Sequence, residues 1–265
     1  MRNMRPVLDV KELIMDFGGL RALDNIDLQV RDGEIVALIG PNGAGKTTLF
    51  NCVTGMYEPT NGQMNIYPEG KKSLKLNNLK PNQVTQMGLA RTFQNIRLFQ
   101  KMTVLENVMV ARHCRTKTGI TGAVLRGEKT RKEESEIVDY SYGLLEKMEL
   151  AQYVNDLASE LPYGAQRRLE IARAMATEPF ILLLDEPAAG MNPKETQELD
   201  NLITKIRGEE KISILLIEHD MKLVMRISDR IFVMDYGKMI AEGTPEEVGA
   251  NKKVIKAYLG ESFDA

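Results

Sequence analysis

The segment from Gly40 to Thr48 has the residue types and the spacing that bind phosphate groups. Its sequence is Gly-Pro-Asn-Gly-Ala-Gly-Lys-Thr-Thr, and residues 40–47 fit the pattern G-x-x-x-x-G-K-[ST]. Glycines allow backbone amides to turn toward a polyphosphate with no Cβ in the way. Lys46 can reach β- and γ-phosphates, and the Thr47 hydroxyl can ligate Mg²⁺. The predicted nucleotide contacts are Gly40, Pro41, Asn42, Gly43, Ala44, Gly45, Lys46, Thr47 and Thr48.

This loop lies between two elements that can position it. Residues 34–39 form a short apolar run rich in β-branched side chains, which predicts a buried strand. Residues 47–53 can begin a helix, whose free N–H groups and positive dipole end would face an anion. A Gly-rich turn that matches the pattern by chance is the alternative, and it would not need this strand and helix. The sequence therefore predicts a nucleoside triphosphate site.

Two carboxylates and a histidine follow further apolar runs. Residues 180–184 predict a buried strand, and Asp185 and Glu186 come directly after it. Ligands bind at the carboxyl ends of strands in open α/β sheets. Asp185 can hold Mg²⁺ through water, and Glu186 points the other way and can polarise an attacking water. His219 follows the next predicted strand, 212–217, where an imidazole can donate to a γ-phosphate.

Bulk composition limits the classes of function. The chain has 265 residues, of which 43% are hydrophobic, and a formal charge of −2. This length allows one domain with a subdomain, or two small domains. Near-neutral charge argues against nucleic acid as an electrostatic partner. Cys52 and Cys114 predict no disulfide framework, which favours a reducing, cytoplasmic compartment. No apolar run approaches the roughly 20 residues that span a bilayer, so any membrane crossing is expected from other chains.

The order of predicted elements indicates a layered α/β protein. Residues 7–30 alternate apolar and polar side chains and predict an antiparallel β layer. From residue 161 onward, near-continuous apolar strands alternate with helices, which predicts a parallel sheet covered on both faces. Helical spacing and a capping box formed by Thr103 and Glu106 predict a helical insert within 95–160.

Two remaining stretches are expected at the surface. Residues 56–92 carry prolines, glycines and a basic run, and they predict an exposed hairpin and loop. Residues 112–132 carry seven Lys or Arg against one acid, which favours a solvated connection over a lipid-binding segment. Phe17 precedes Gly18 and Gly19; it is either a core or turn aromatic or a ring that stacks on a nucleotide base.

Taken together, these segments resemble the ATP-binding subunits of ABC transporters over nearly the whole length of the chain. Residues 40–48 resemble the Walker A loop, 182–186 resemble Walker B with its catalytic glutamate, and 161–166 resemble the signature motif. Residues 188–192 occupy the place of the D-loop. The resemblance implies catalytic roles for Glu186, His219 and Gln94, base stacking by Phe17, and Mg²⁺ ligation by Thr47, Gln94 and Asp185. It implies further ATP contacts at Tyr163, Gly164, Ala165 and Gln166.

The resemblance is closer still to the LivG-type subunit of branched-chain amino acid importers. Three stretches carry it, at 91–99, 185–196 and 254–260. Two residues depart from the general family pattern. Pro162 stands where the signature usually has a serine, and Asn192 stands where the D-loop usually has an aspartate.

The resemblance also implies an organisation and a set of partners. The fold is expected to be a P-loop NTPase core with a mostly parallel sheet and an antiparallel β subdomain, formed by 7–94 and 176–265, with a helical signature subdomain at 95–175. ATP and Mg²⁺ are the expected cofactors. The expected partners are a second ATP-binding subunit, two transmembrane permease subunits and, indirectly, an extracytoplasmic binding protein. The expected location is the cytoplasmic face of the cell (inner) membrane.

Other ATPase classes fit less well, and one remains a rival. Chromosome-type relatives need a long coiled coil between the phosphate loop and the signature, and the interval from Lys46 to Leu161 is too short for one. Translation-factor relatives carry two cassettes in one chain. A P-loop GTPase needs Asn-Lys-x-Asp, and residues 251–254 lack the acid. The ATPase subunit of another ABC system, such as lipopolysaccharide export, or a soluble non-transport ABC ATPase remains the alternative.

Overall fold

The computed structural model describes residues 5–116 and 128–259. The chain divides into two compact units. One holds the chain as far as Arg91 and again from Phe180, and the other is Thr92–Pro179. Most of the basic stretch at 112–132, together with Gly260, lies outside the described residues.

The strands form two sheets, both in the first unit. In chain order they are β1 (Pro6–Phe17), β2 (Leu20–Arg31), β3 (Ile35–Ile39), β4 (Asn61–Ile66), β5 (Leu74–Lys75), β6 (Leu89–Arg91), β7 (Ile181–Asp185), β8 (Ser213–Ile217), β9 (Arg230–Asp235) and β10 (Lys238–Gly243). One sheet has the order β2-β1-β4-β5 and is antiparallel. The other has the order β10-β9-β3-β8-β7-β6, in which only β10 is antiparallel to its neighbour.

The helices connect these strands and build the second unit. They are α1 (Lys46–Val53), α2 (Pro81–Gln86), α3 (Val104–Arg112), α4 (Glu128–Lys147), α5 (Tyr163–Met175), α6 (Pro193–Glu210), α7 (Met221–Ile227), α8 (Pro245–Gly249) and α9 (Lys252–Leu259). In the part of the chain that the structure describes, no helix has the length and apolarity to cross a membrane.

The parallel sheet is buried on both faces, as the continuous apolar runs predict. Every residue of β3, β7 and β8 is buried. One core cluster joins α1 and the antiparallel sheet to one face, with Phe50 fully buried in it. A second cluster covers the other face with α7, α8 and α9, through Val224, Val248 and Val254. The sheet therefore holds the carboxyl ends of its strands in a fixed row.

The prediction for residues 56–92 is wrong in part. The segment contains β4, whose Met64 and Ile66 are buried in the core, and β6, which joins the edge of the parallel sheet beside β7. Leu89, Ala90 and Arg91 pair with residues 181–183 far along the chain. A three-residue strand is too short for its side-chain period to be recognised, and its pairing partner is distant in sequence.

The second unit is helical, and its first helix begins as predicted. The Thr103 side chain accepts from the Glu106 amide at 3.2 Å, and the Glu106 carboxylate accepts from the Thr103 amide at 2.7 Å. This reciprocal capping satisfies two backbone donors at the start of α3. Asn107 is fully buried; its side chain accepts from the Phe99 amide and donates to the Phe99 carbonyl. These two bonds fix the loop before the helix.

Candidate active site

The phosphate loop joins the end of β3 to the start of α1. Gly40, Gly43 and Gly45 have φ values of 151°, 81° and 103°, a region that L side chains rarely adopt. A Cβ on Gly40 would lie 2.1 Å from the carbonyl oxygen of Met234, and one on Gly45 would lie 2.8 Å from that of Ala22. Gly40 and Gly45 are therefore required both for the turn and for close packing against β9 and β2, whereas Gly43 is required for its backbone conformation alone.

Lys46 is the first residue of α1 and is held inside the loop. Its Nζ donates to the carbonyl oxygens of Gly40 and Pro41 at 2.6 and 2.9 Å, and the residue is buried. Burial lowers the pKa of Lys46, while the charges of Glu186 and Asp185 raise it. An ammonium has three N–H donors, so the two loop bonds leave capacity for a phosphate oxygen.

The other loop residues divide into exposed and packed groups. Asn42, Gly43 and Thr47 are exposed, and Ala44 is buried. The remaining predicted contacts, Pro41, Gly45 and Thr48, are partly exposed. The Ala44 carbonyl accepts from the Gly237 amide at 3.0 Å, which ties the loop to the β9–β10 turn. The exposed Thr47 hydroxyl on the first turn of α1 is consistent with a ligand role.

Asp185 ends β7 in a buried ion pair with Arg91, the last residue of β6. The Arg91 Nη2 and Asp185 Oδ2 atoms are 2.7 Å apart, and both side chains are buried. Arg91 Nη1 also donates to Asn51 Oδ1 at 2.7 Å, and the guanidinium lies over the Phe50 ring. Arg91 therefore connects the predicted Mg²⁺ carboxylate to α1, the helix that follows the phosphate loop.

Glu186 and His219 meet at the ends of neighbouring strands. Glu186 Oε1 lies 2.6 Å from His219 Nε2; Glu186 follows β7 directly, and His219 is the second residue after β8. Glu186 has φ 48°, a strained value for a non-glycine residue, and its amide donates to the Ile217 carbonyl at 2.9 Å. The sheet therefore brings these two sequence-predicted residues together.

The buried carboxylate of Glu218 holds the backbone that carries His219. Glu218 is 3% exposed, and it accepts hydrogen bonds from the amides of Ala188 at 2.7 Å and His219 at 2.9 Å. Burial raises the pKa of Glu218, and these backbone donors oppose that shift. The carboxylate thus joins the segment after Glu186 to the segment that carries His219.

Phe17 lies at the end of β1 with 43% of its surface exposed, so it is not a core residue. Its ring meets the Tyr57 ring edge-on, with centroids 5.4 Å apart and planes at 82°. The exposed part of the Phe17 ring offers apolar surface on which a base can stack.

The signature residues lie at the start of α5 in the second unit. Pro162 occupies the N-cap position and Tyr163 is exposed. The Gln166 side chain donates to the Leu161 carbonyl at 2.9 Å, and Ala165 is buried. Thus Tyr163 and the partly exposed Gly164 present the outer surface, while the side chains of Ala165 and Gln166 serve the helix itself. Gln94, also in this unit, is exposed.

A family model described as "ABC transporter" matches residues 23–189. The chain belongs to the ABC transporter ATP-binding family. A second model, described as "Branched-chain amino acid ATP-binding cassette transporter", matches residues 238–264. The chain is therefore an ABC ATPase, its hydrolysis is coupled to transport, and it binds nucleotide.

Individual relatives cover almost the whole chain. A high-affinity branched-chain amino acid transport ATP-binding protein, LivG of Salmonella typhimurium, is 53% identical over 97% of this chain and 99% of its own length. BraF of Pseudomonas aeruginosa, of the same description, is 49% identical over the same shares. The crystal structure of an ABC transporter ATP-binding cassette in its ADP conformation has a TM-score of 0.82 and 31% identity, covering 97% of this chain and 100% of that one.

One departure from the family pattern has a structural role in this ABC ATPase. Asn192, in the D-loop, caps α6: its side chain accepts from the amides of Lys194 and Glu195 at 3.0 Å, and Glu195 accepts from the Asn192 amide at 2.9 Å. Asn and Asp are about equally favourable at an N-cap. The substitution therefore keeps the helix start and removes a negative charge.

Sequence reasoning missed several residues that support the site. Arg91, Glu218 and Tyr57 contact the predicted site residues Asp185, His219 and Phe17, and Asn51 contacts Arg91. A charged residue adjoining an apolar run was the available signal for Arg91 and Glu218. Nothing in the sequence alone indicates that Tyr57 meets Phe17, because the two residues are forty positions apart and the contact depends on tertiary packing.

Proposed function

We propose that this chain hydrolyses ATP to energise the uptake of branched-chain amino acids through separate transmembrane subunits. The observation that carries the proposal is the meeting of Glu186 and His219 at 2.6 Å beside the phosphate loop. The charges of Asp185 and Glu186 act on Lys46, so all three groups share one site. This constellation has the parts that phosphoryl transfer to water requires.

The roles follow from the positions of the side chains. Loop amides and Lys46 bind the β- and γ-phosphates, and Phe17 stacks on the base. Glu186 orients a water whose oxygen attacks the γ-phosphorus, the bond to the β–γ bridging oxygen breaks, and ADP leaves with that electron pair. His219 donates to a γ-phosphate oxygen. Gln94 links this chemistry to the helical unit.

The donor set fits Mg²⁺. Thr47 and Asp185, both in the first unit, offer a hydroxyl and a carboxylate, which are the hard oxygen ligands that Mg²⁺ prefers. Among the described residues no cluster of three or more His, Cys, Asp or Glu side chains could hold a metal by itself. In sites that bind nucleoside triphosphates, Mg²⁺ is usually held by one or two protein ligands together with water and the substrate phosphates. When bound, it neutralises charge on the phosphates.

The relatives support the substrate class and the partners. Those of 53% and 49% identity are ATP-binding proteins of high-affinity branched-chain amino acid transport, which favours that class over lipopolysaccharide export. The proposed complex contains a second ATP-binding subunit, two permease subunits and an extracytoplasmic binding protein. The chain would lie at the cytoplasmic face of the inner membrane. Each signature would complete the ATP site of the partner subunit.

Purification of the tagged chain from membranes of its source organism tests this proposal. We expect two polytopic membrane proteins and another ATP-binding chain to co-purify, and leucine with its binding protein to stimulate ATP hydrolysis in proteoliposomes. Addition of a chemically unrelated amino acid such as lysine is the control. Recovery with lipopolysaccharide-export components, or no stimulation by any branched-chain amino acid, would refute the proposed substrate class.

A further inference from the structure

A buried ion pair lies one turn into α5, next to the signature residues. Arg167 is fully buried and Glu170 is 2% exposed. Arg167 Nη1 lies 2.7 Å from Glu170 Oε2. Removing two charges from water costs several kcal/mol per ion, and their attraction offsets this only when further hydrogen bonds satisfy the remaining donors and acceptors.

Those further bonds go to the backbone around Gln94. Arg167 donates to the Phe93 carbonyl at 2.7 Å through Nη1 and to the Gln94 carbonyl at 2.9 Å through Nη2. Glu170 Oε1 accepts from the amides of Phe93 at 3.3 Å and Arg97 at 3.4 Å. Two side chains of one helix therefore hold the 93–97 backbone: Arg167 donates to its carbonyls, and Glu170 accepts from its amides. The Gln94 side chain is exposed.

The same guanidinium also reaches a signature residue. Arg167 Nη2 lies 3.5 Å from the Tyr163 hydroxyl, at the first residue of α5. The planar, rigid fork of an arginine fixes direction as well as distance, which a flexible ammonium does not. The pair thus connects three features of one unit: the Gln94 backbone, the helix α5 and the start of the signature.

We propose that Arg167 and Glu170 are positioning residues that make the Gln94 segment and the signature helix move as one body. The proposal rests on the proposed function, in which Gln94 couples hydrolysis to the transmembrane subunits. A displacement of the Gln94 backbone then moves Tyr163 and Gly164 with it. A pair that served only stability could be replaced by apolar side chains of similar volume, since such exchanges are often neutral or stabilising.

Replacement of the ion pair by apolar side chains is therefore the decisive variant. The double substitution Arg167→Met with Glu170→Leu removes both charges and retains the packing volume. Arg167→Lys keeps the charge but replaces the rigid, two-nitrogen fork with one flexible ammonium, and Glu170→Gln keeps one acceptor while removing the charge. Arg168→Lys is the matched control, because Arg168 lies on the same helix and bonds the exposed Glu149 at 3.2 Å.

Two measurements are made on each variant that unfolds at the wild-type temperature. We call Arg167 and Glu170 the clamp, and the three variants at these residues the clamp variants. Hydrogen exchange at the Phe93 and Arg97 amides should accelerate by about tenfold or more in the clamp variants and stay unchanged in Arg168→Lys. In the assembled transporter, leucine taken up per ATP hydrolysed should fall in the clamp variants, with ATP affinity unchanged. A folded Met–Leu variant with wild-type exchange and wild-type transport per ATP would overturn the proposal.

Gln94→Ala separates this inference from the proposed function. If Gln94→Ala leaves transport per ATP intact, the coupling role of Gln94 fails, whatever the clamp variants do. If Gln94→Ala uncouples but the clamp variants do not, the coupling role stands and the inference about Arg167 and Glu170 is refuted. Should the Met–Leu variant not fold, Arg167→Lys and Glu170→Gln decide the question by the same two measurements.

Discussion

Nε2 of His219 lies 2.6 Å from Oε1 of Glu186, so the residue that would sense the γ-phosphate bonds directly to the residue that would orient water. The two side chains come from separate strand ends, and the parallel register of β7 with β8 sets their separation. Hydrolysis is therefore expected to depend on both members of one hydrogen-bonded pair.

Loss of the imidazole should stop hydrolysis without stopping binding. His219→Ala removes a γ-phosphate donor and the partner of Glu186, and we expect hydrolysis by the assembled complex to fall by about 10²-fold or more. ATP affinity, measured by equilibrium binding, should hold. Asp220→Asn, beside it at the N-cap of α7, is the control and should keep its activity. Loss of ATP binding in His219→Ala would contradict the assigned role.

Loss of Arg91 should lower the free energy of unfolding more than loss of a surface arginine does. Arg91→Met leaves Asp185 buried without this partner, and such a loss destabilises by about 3–5 kcal/mol. Arg21→Met breaks the exposed pairs with Asp16 and Asp24 and should change the free energy of unfolding far less, because solvent and salt screen exposed pairs. Urea unfolding of the isolated chain measures both free energies. Equal, small losses in the two variants would show that the buried pair does not hold Asp185.

Phe17 should contribute to ATP affinity but not to turnover. Stacking of a base on an aromatic ring is worth about 1–3 kcal/mol, so Phe17→Ala should raise the Kd for ATP by roughly 5- to 150-fold. Tyr57→Ala should raise the Kd less, because Tyr57 contacts the Phe17 ring and helps to hold it in place. Leu20→Ala, at an exposed residue across the turn, is the control. Unchanged affinity in Phe17→Ala would exclude base stacking.

Gly164 should matter only in the assembled complex. Gly164→Asp places a side chain and a negative charge where the signature would approach the γ-phosphate of the partner's ATP. We expect hydrolysis stimulated by assembly to be lost while the isolated chain binds ATP normally. Pro162→Ser, which adds a hydroxyl at the N-cap, should raise activity by about tenfold at most. A normal rate in Gly164→Asp would mean that this signature does not complete a hydrolytic site.

Features that depend on neighbouring residues could be predicted from the sequence. The strand, loop and helix around Lys46 and the capping box of Thr103 and Glu106 are local patterns, and the structure has them. Each is fixed by a few adjacent side chains and by backbone geometry.

Features that depend on pairing between distant segments of the chain could not be predicted from the sequence. β6 is recognised only through its pairing with β7, and the Arg91–Asp185 contact follows from that pairing. The clamp of Arg167 and Glu170 on residues 93–97 joins segments more than seventy residues apart. Side-chain partners of this kind are set by tertiary packing, which residue spacing does not encode.

The central claim is that Glu186 activates water for ATP hydrolysis at this site. Glu186→Gln keeps the side-chain size and removes the carboxylate, so the assembled complex should bind ATP with its Kd within about twofold of wild type while turnover falls by about 10²–10⁴-fold. Glu209→Gln, an exposed glutamate of α6 in the same unit, is the control and should hydrolyse ATP at the wild-type rate. Near wild-type turnover by Glu186→Gln would contradict the claim.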